Sequence, residues 1–193
     1  MTPSSQRLVV IGASAGGVAA LRQLSAALPA DFSAPVLIVL HIGMHDSLLP
    51  GLVAADCALD VSRAFDGETL KPGTLRIAPP DRHLTVENGV VRLTRSPKEN
   101  FARPAIDPLF RSVALDFASR AIGVILTGML DDGTAGLQAI KGAGGIAVVQ
   151  DPAEALEPSM PTTALRHVGV DYCVPLVEMP ALLGRLVASH GGA

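Results

Sequence analysis

The sequence predicts an α/β fold, a doubly wound, mostly parallel sheet with an antiparallel β-hairpin extension. Three observations lead there. Residues 8–11, 34–40, 121–126 and 144–149 are continuously apolar, as strands buried on both faces are. Each is followed by a stretch of helical character, the alternation of a parallel sheet with right-handed crossovers. The pair Asn88-Gly89, between LTVE and VVRL, is a two-residue hairpin signal.

Composition narrows the class. Of the 193 residues, 49% are hydrophobic but only 3% aromatic, with no Trp, so the core must be aliphatic. The net charge of −3 gives no electrostatic case for nucleic acid or for an anionic membrane surface. No apolar run reaches the ~18 residues of a membrane span, and the N-terminal MTPSSQR has no signal-peptide core. Cys57 and Cys173 show no metal spacing and read as free thiols in a reducing compartment. The expectation is one cytoplasmic domain over residues 1–193, without membrane insertion, with a frayed tail at 190–193.

Taken in order, residues 8–11 form a strand that turns sharply into a helix over 18–28, with apolar residues at Val18, Leu21, Leu24 and Leu28. Pro29 ends it. The strand at 34–40 runs into His41 and the polar segment HIGMHDS. A helix over 47–57 follows, with Pro50 and Gly51 placed in its first turn. Residues 59–64, 74–78, 83–87 and 90–94 are short alternating runs and predict an antiparallel extension at one edge of the sheet. A charged loop over 96–103 leads to a helix over 105–118 with Ile106, Leu109, Phe110, Val113 and Phe117 on one face. The strand at 121–126 ends in TGMLDDG, a loop before a helix over 134–142. The strand at 144–149, a proline-rich loop, a short helix over 160–167, a short strand over 172–174 and a closing helix over 177–189 complete the chain.

The chemistry gathers at strand ends. Gly12, Ser14 and Gly16 match G-x-S-x-G, the strained nucleophile elbow that lifts a hydroxyl above a sheet. His41 follows the second strand, and Asp132 follows the strand at 121–126. Sites in open parallel sheets form outside the carboxyl ends of the strands, so one fold can bring the three together as nucleophile, base and base-orienting acid. Each also has a plainer role. The Gly-rich turn could cradle a phosphate, although GASAGG has Ser14 where G-x-G-x-x-G needs its second glycine. Asp131 and Asp132 could cap the helix after them. His45 competes with His41 but reads as an exposed helix start, and His83, His167 and His190 read as structural or surface residues.

The segments IGASAGG, LHIG, ARPAID and GVILTGMLDDGTAG resemble the signature segments of the catalytic domain of the bacterial chemotaxis protein-glutamate methylesterase family. The resemblance runs from Arg7 to about Val187 and implies the doubly wound sheet with its hairpin. It implies Ser14, His41 and Asp132 as the catalytic triad, hydrolysis of glutamate γ-methyl esters through an acyl-enzyme, and deamidation of receptor glutamines as a related reaction. The implied partner is a methyl-accepting chemotaxis receptor or a similar methylated signalling protein, with a separate receiver or methyltransferase protein as a further one. No metal or cofactor is implied. Ala15 replaces a frequent Thr, Ile42-Gly43 a common Met-Pro, and Asp131 a frequent Asn. These departures bear on substrate fit. Family members carry an N-terminal phosphorylatable receiver domain, whereas this chain starts almost at the first catalytic strand, so the expectation is a catalytic domain alone.

In this mechanism the amides of Ala15 and of Met129, in the Gly128–Met129 turn, are the candidate oxyanion donors. Arg103 is a candidate cation for a substrate carboxylate, with a local ion pair to an acid such as Asp107 as the alternative. Met44 and Met129 are candidate cleft walls. A catalytically weak signalling or scaffold module of the same fold is the competing function.

Overall fold

The computed structural model describes residues 6–41 and 48–189. The expectations for Met44, His45, the polar segment after His41 and the tail at 190–193 lie outside the described residues. The elements are β1 (Leu8–Ala13), α1 (Gly17–Ala26), β2 (Val36–Leu40), α2 (Leu49–Ala54), β3 (Asp60–Arg63), β4 (Thr74–Ile77), β5 (His83–Glu87) and β6 (Val90–Thr94). They continue with α3 (Ile106–Phe117), β7 (Ala121–Ile125), α4 (Thr134–Gly142), β8 (Ile146–Gln150), α5 (Ser159–His167), β9 (Tyr172–Val174) and α6 (Met179–Ala188).

Seven strands form one parallel sheet in the order β3-β4-β2-β1-β7-β8-β9. β1 lies at its centre, between β2 and β7. The chain leaves β1 toward β2 on one side and later returns on the other through β7, so β1 marks the topological switch point. Strand alternation divides the core into two layers. Val9, Ile11, Ile38 and Val124 face one cluster with Leu21 and Leu24 of α1 and Leu183 of α6. Leu8, Val10, Leu37 and Val39 face the other with Phe110 and Val113 of α3 and Leu137 of α4. Both faces of the central strands are thus apolar, which is why those runs carry no alternation. Among the described residues no helix is long and apolar enough to cross a membrane.

The middle of the chain departs from expectation. Of the four strands there, β5 and β6 alone pair antiparallel with each other, and they form a separate two-stranded sheet, with β5 packed on α3 rather than prolonging the main sheet's edge. Their turn has positive φ at Asn88 (53°) and Gly89 (72°), as a type I′ hairpin requires. β3 and β4 instead join the main sheet in parallel. The alternation in TLRI does not mark a solvent face. Arg76 is 8% exposed; its Nε donates to Glu68 Oε1 at 2.5 Å and its Nη2 to Asp60 Oδ2 at 2.7 Å. The crossover between the two strands is pinned to the hairpin by Gly67 N–H to Val91 O and Val91 N–H to Glu68 O.

This ion cluster carries a prediction. Arg76→Ala leaves Glu68, with a side chain 10% exposed, without its counter-charge. Breaking such a pair costs about 3–5 kcal/mol, so urea unfolding at neutral pH should show a marked loss of stability. Adding Glu68→Gln should restore part of it. An unchanged midpoint for Arg76→Ala would remove the cluster from the account of β4.

Candidate active site

The end of β1 is shaped by backbone bonds. Ser14 N–H donates to Thr127 O at 3.0 Å, and Gly17 N–H donates to Ser14 O at 2.8 Å, which turns the chain into α1. The residue in the left-handed region is Gly16 (φ 79°), the N-cap of α1. Ser14 has no positive φ, so the left-handed conformation of this turn does not fall on the serine. The turn's unusual backbone falls on the residue that adopts it at least cost. A Cβ at Gly16 would also collide with Leu156.

Thr127, just past β7, clamps this turn. Its Oγ1 donates to Ala15 O at 2.9 Å and accepts Glu157 N–H at 2.8 Å, while its own N–H donates to Gln150 Oε1 at 2.8 Å. Gln150 is 3% exposed and donates to Glu154 Oε1 at 3.0 Å, so the clamp reaches the end of β8. Gly128 lies close against Ser14. A Cβ there would meet Ser14 Cβ at 2.8 Å and overlap Met160 Sδ. Gly128 N–H is taken by Glu157 O. The amides of Ala15, which follows Ser14 in the chain, and of Met129, which follows Gly128, have no hydrogen-bond partner among the described residues.

His41 and Asp132 complete the line. His41 N–H donates to Ala13 O at 3.1 Å, holding the residue beside the end of β1. Its Nδ1 lies 3.1 Å from Ser14 Oγ and its Nε2 lies 2.7 Å from Asp132 Oδ2. Asp132 accepts only, so Nε2 carries the ring proton and Nδ1 offers its lone pair to the serine. The ring is thus turned the opposite way round from the chymotrypsin template, where Nε2 faces the serine.

Asp132 is 2% exposed and fully bonded. Oδ2 also accepts Ile106 N–H at 2.7 Å; Oδ1 accepts Asn100 Nδ2 at 2.6 Å and Asp107 N–H at 3.1 Å. The acid therefore caps α3, not the α4 helix that follows it. Burial pushes its carboxyl up, but the hydrogen bonds from His41, Ile106 and Asn100 outweigh this and hold it below the ordinary carboxylate range. The positive end of α3 favours the same ionised state. Asp107 goes the other way: burial raises its carboxyl above the usual value, and the nearby Asp132 charge adds to this.

Of the other predicted residues, Met129 is 55% exposed, in the turn after Gly128. Arg103 is held by a neighbouring acid. Its Nε and Nη2 both donate to Asp81 Oδ1, at 2.9 and 2.6 Å, and its Nη1 to Ser96 O at 2.9 Å. Its acid is Asp81, not Asp107, because Asp107 turns inward to Gly136 N–H and Asn100. His83 is buried, bridging Ala105 N–H and Pro97 O, and His167 is exposed. Cys57 and Cys173 are free thiols. Sequence reasoning missed Asn100, Thr127 and Gln150, and gave Asp107 only a surface role. Asp107 was signalled by its place in ARPAID at the start of an amphipathic helix. Asn100 had no signal in a loop of charged residues. An open cleft of about 390 Å³, lined by Ser14, Gly16, Val18, Arg22, Leu40 and His41, gives access to the serine.

Comparison with known proteins bears on this site. A family model described as CheB methylesterase matches residues 9–183. The chain is 42% identical over 180 residues to protein-glutamate methylesterase/protein-glutamine glutaminase 2 of Anaeromyxobacter dehalogenans strain 2CP-C. That match covers 93% of this chain and 53% of that protein, so the chain spans about half the relative's length. It is 38% identical over 180 residues to a putative protein-glutamate methylesterase/protein-glutamine glutaminase of Leptospira interrogans serovar Lai, covering 92% and 93%. Among solved structures, the Thermotoga maritima CheB methylesterase catalytic domain superposes with a TM-score of 0.90 at 36% identity, over 94% of this chain and 99% of that one.

Proposed function

The chain belongs to the CheB methylesterase family, and from that membership we propose that it is a serine esterase that hydrolyses glutamate γ-methyl esters on a methylated chemotaxis-type receptor. The observation that carries the reading is the unbroken line from Ser14 Oγ through His41 to buried Asp132, at 3.1 and 2.7 Å.

Ser14 Oγ attacks the ester carbonyl while His41 Nδ1 takes its proton. The C=O pair of electrons moves to oxygen, and the free amides of Ala15 and Met129 receive that oxyanion. Collapse expels methoxide, which leaves as methanol with the proton from Nδ1. Water then attacks the acyl-enzyme and gives one proton to the same nitrogen; on collapse Nδ1 returns that proton to Ser14 Oγ, and the glutamate side chain leaves as a carboxylate, its remaining proton passing to solvent. Asp132 stays ionised throughout and stabilises the imidazolium through Nε2–H. The same parts suit deamidation of a glutamine, with ammonia as the harder leaving group. A separate receiver or methyltransferase protein is a further partner on this reading. The free Cys57 and Cys173 suit a cytoplasmic setting.

Methanol release from membranes bearing a methyl-labelled receptor tests the function. Release should be rapid near neutral pH and be lost in acid, because a protonated histidine cannot accept the serine proton. A flat profile would argue against the histidine base. Reaction of Ser14 with a fluorophosphonate without any methanol release would keep the esterase and discard the receptor.

A further inference from the structure

We infer that Asn100 is a positioning residue for this hydrolysis, its carboxamide bridging the two buried carboxylates of Asp132 and Asp107. The inference rests on the triad assignment above. Asn100 Nδ2 lies 2.6 Å from Asp132 Oδ1 and 2.9 Å from Asp107 Oδ2. One NH2 group carries two protons and serves both acceptors. Asp132 Oδ2 is occupied by His41 and Ile106 N–H, so the bonds to Oδ1 fix the carboxylate plane and hence the line to His41 Nε2. One of these is the Asp107 amide of α3. The other is Asn100, the one side chain besides His41 that binds Asp132 among the described residues.

The loop is built to deliver it. Glu99 and Ala102 pair across a tight antiparallel bridge. Between them Asn100 (φ 48°) and Phe101 (φ 62°) both take the left-handed conformation. Asn100 is exposed, yet its amide reaches two residues that are 2% and 6% exposed. It also stands in the wall of a polar pocket of about 380 Å³, with Asp107, Asp131, Thr134 and His167. Without Asn100, unfixed water would take its place at Oδ1, and the two like charges would lose their shared donor. The charged and titratable groups facing the pair are His41, Asp131 and His167, with Arg111 beside Asp107 and Glu99 bound to Arg111 at 2.6 Å.

The test uses the rate of Ser14 labelling by a fluorophosphonate, and kcat and KM for p-nitrophenyl acetate across pH; neither needs a receptor. Asn100→Ala should lower the labelling rate about tenfold or more, with KM little changed. The acid limb should move to higher pH, because Asp132 loses a donor to its ionised form. Asp107→Asn should also slow labelling. Its oxygen must stay on Gly136 N–H, which sets its new NH2 against Asn100 Nδ2. The double variant should label faster than Asn100→Ala, since the new amide then supplies a donor and removes a charge. Equal labelling by wild type and Asn100→Ala, or a slower variant with an unmoved acid limb, would overturn the role. Wild-type protein that resists labelling would overturn the triad assignment and this inference with it. Wild-type labelling without methanol release would overturn only the receptor reading. If Asp107→Asn fails to fold, the pH profile of Asn100→Ala decides.

Discussion

Ser14→Ala should abolish ester hydrolysis, lowering kcat/KM by about 10⁴-fold or more, while the melting temperature stays near that of the wild type. The two expectations come from separate atoms. The Ser14 side chain makes one hydrogen bond, to a histidine that opens on the cleft, so its loss strands no buried polar group. The bonds that shape the elbow are backbone ones, Ser14 N–H to Thr127 O and Gly17 N–H to Ser14 O, and alanine keeps them. A surface-like substitution of this kind shifts stability by about 0.5 kcal/mol or less. Methanol release and fluorophosphonate labelling, with the adduct located by mass spectrometry, check the loss. Thermal unfolding checks the fold. Hydrolysis retained by the variant would remove Ser14 as nucleophile.

Asp132→Asn should cost about 10⁴-fold in kcat and, unlike the serine change, should also destabilise the protein. All four hydrogen bonds to this carboxylate come from donors. An amide can accept on one side only. With its NH2 toward Asn100 and Asp107 N–H, it sets donor against donor at the start of α3. With its NH2 toward His41, it forces the ring proton onto Nδ1, the atom proposed to take the serine proton. Either orientation also leaves a helix amide short of an acceptor, a cost of about 1–3 kcal/mol. The pH dependence has a definite sign. The folded carboxyl of Asp132 is depressed, so its contribution is fully present above the unfolded value and is lost as pH falls through the folded one. The stability gap between wild type and variant should be widest near neutrality and narrow below about pH 4. Urea unfolding at pH 7 and pH 3 measures it. A gap that widened in acid would contradict the capping account.

Much of the fold was legible because it is written in short-range pattern. β1, β2, β7 and β8 are apolar on both faces, and Asn88-Gly89 specifies its own turn. β4 was misread because periodicity cannot tell a polar residue facing water from one facing a buried partner, and the buried Glu68, with the exposed Asp60, neutralises Arg76. Arg103 illustrates the same limit. Its partner Asp81 lies 22 residues away, and nothing local in either segment pairs them.

The placement of the proposed triad is local information: Ser14, His41 and Asp132 each follow an apolar run, and a parallel sheet brings the ends of such runs to one edge. How those residues are held depends on long-range packing. The order β2-β1-β7 makes the three strand ends neighbours. α3 offers its first amides to Asp132, Thr127 binds the elbow, and Asn100 joins two carboxylates. The His41 ring turns so that Nδ1 meets the serine. Each of these is a directional bond between segments far apart in the chain. Its geometry depends on how whole elements pack, which no local run of residues encodes.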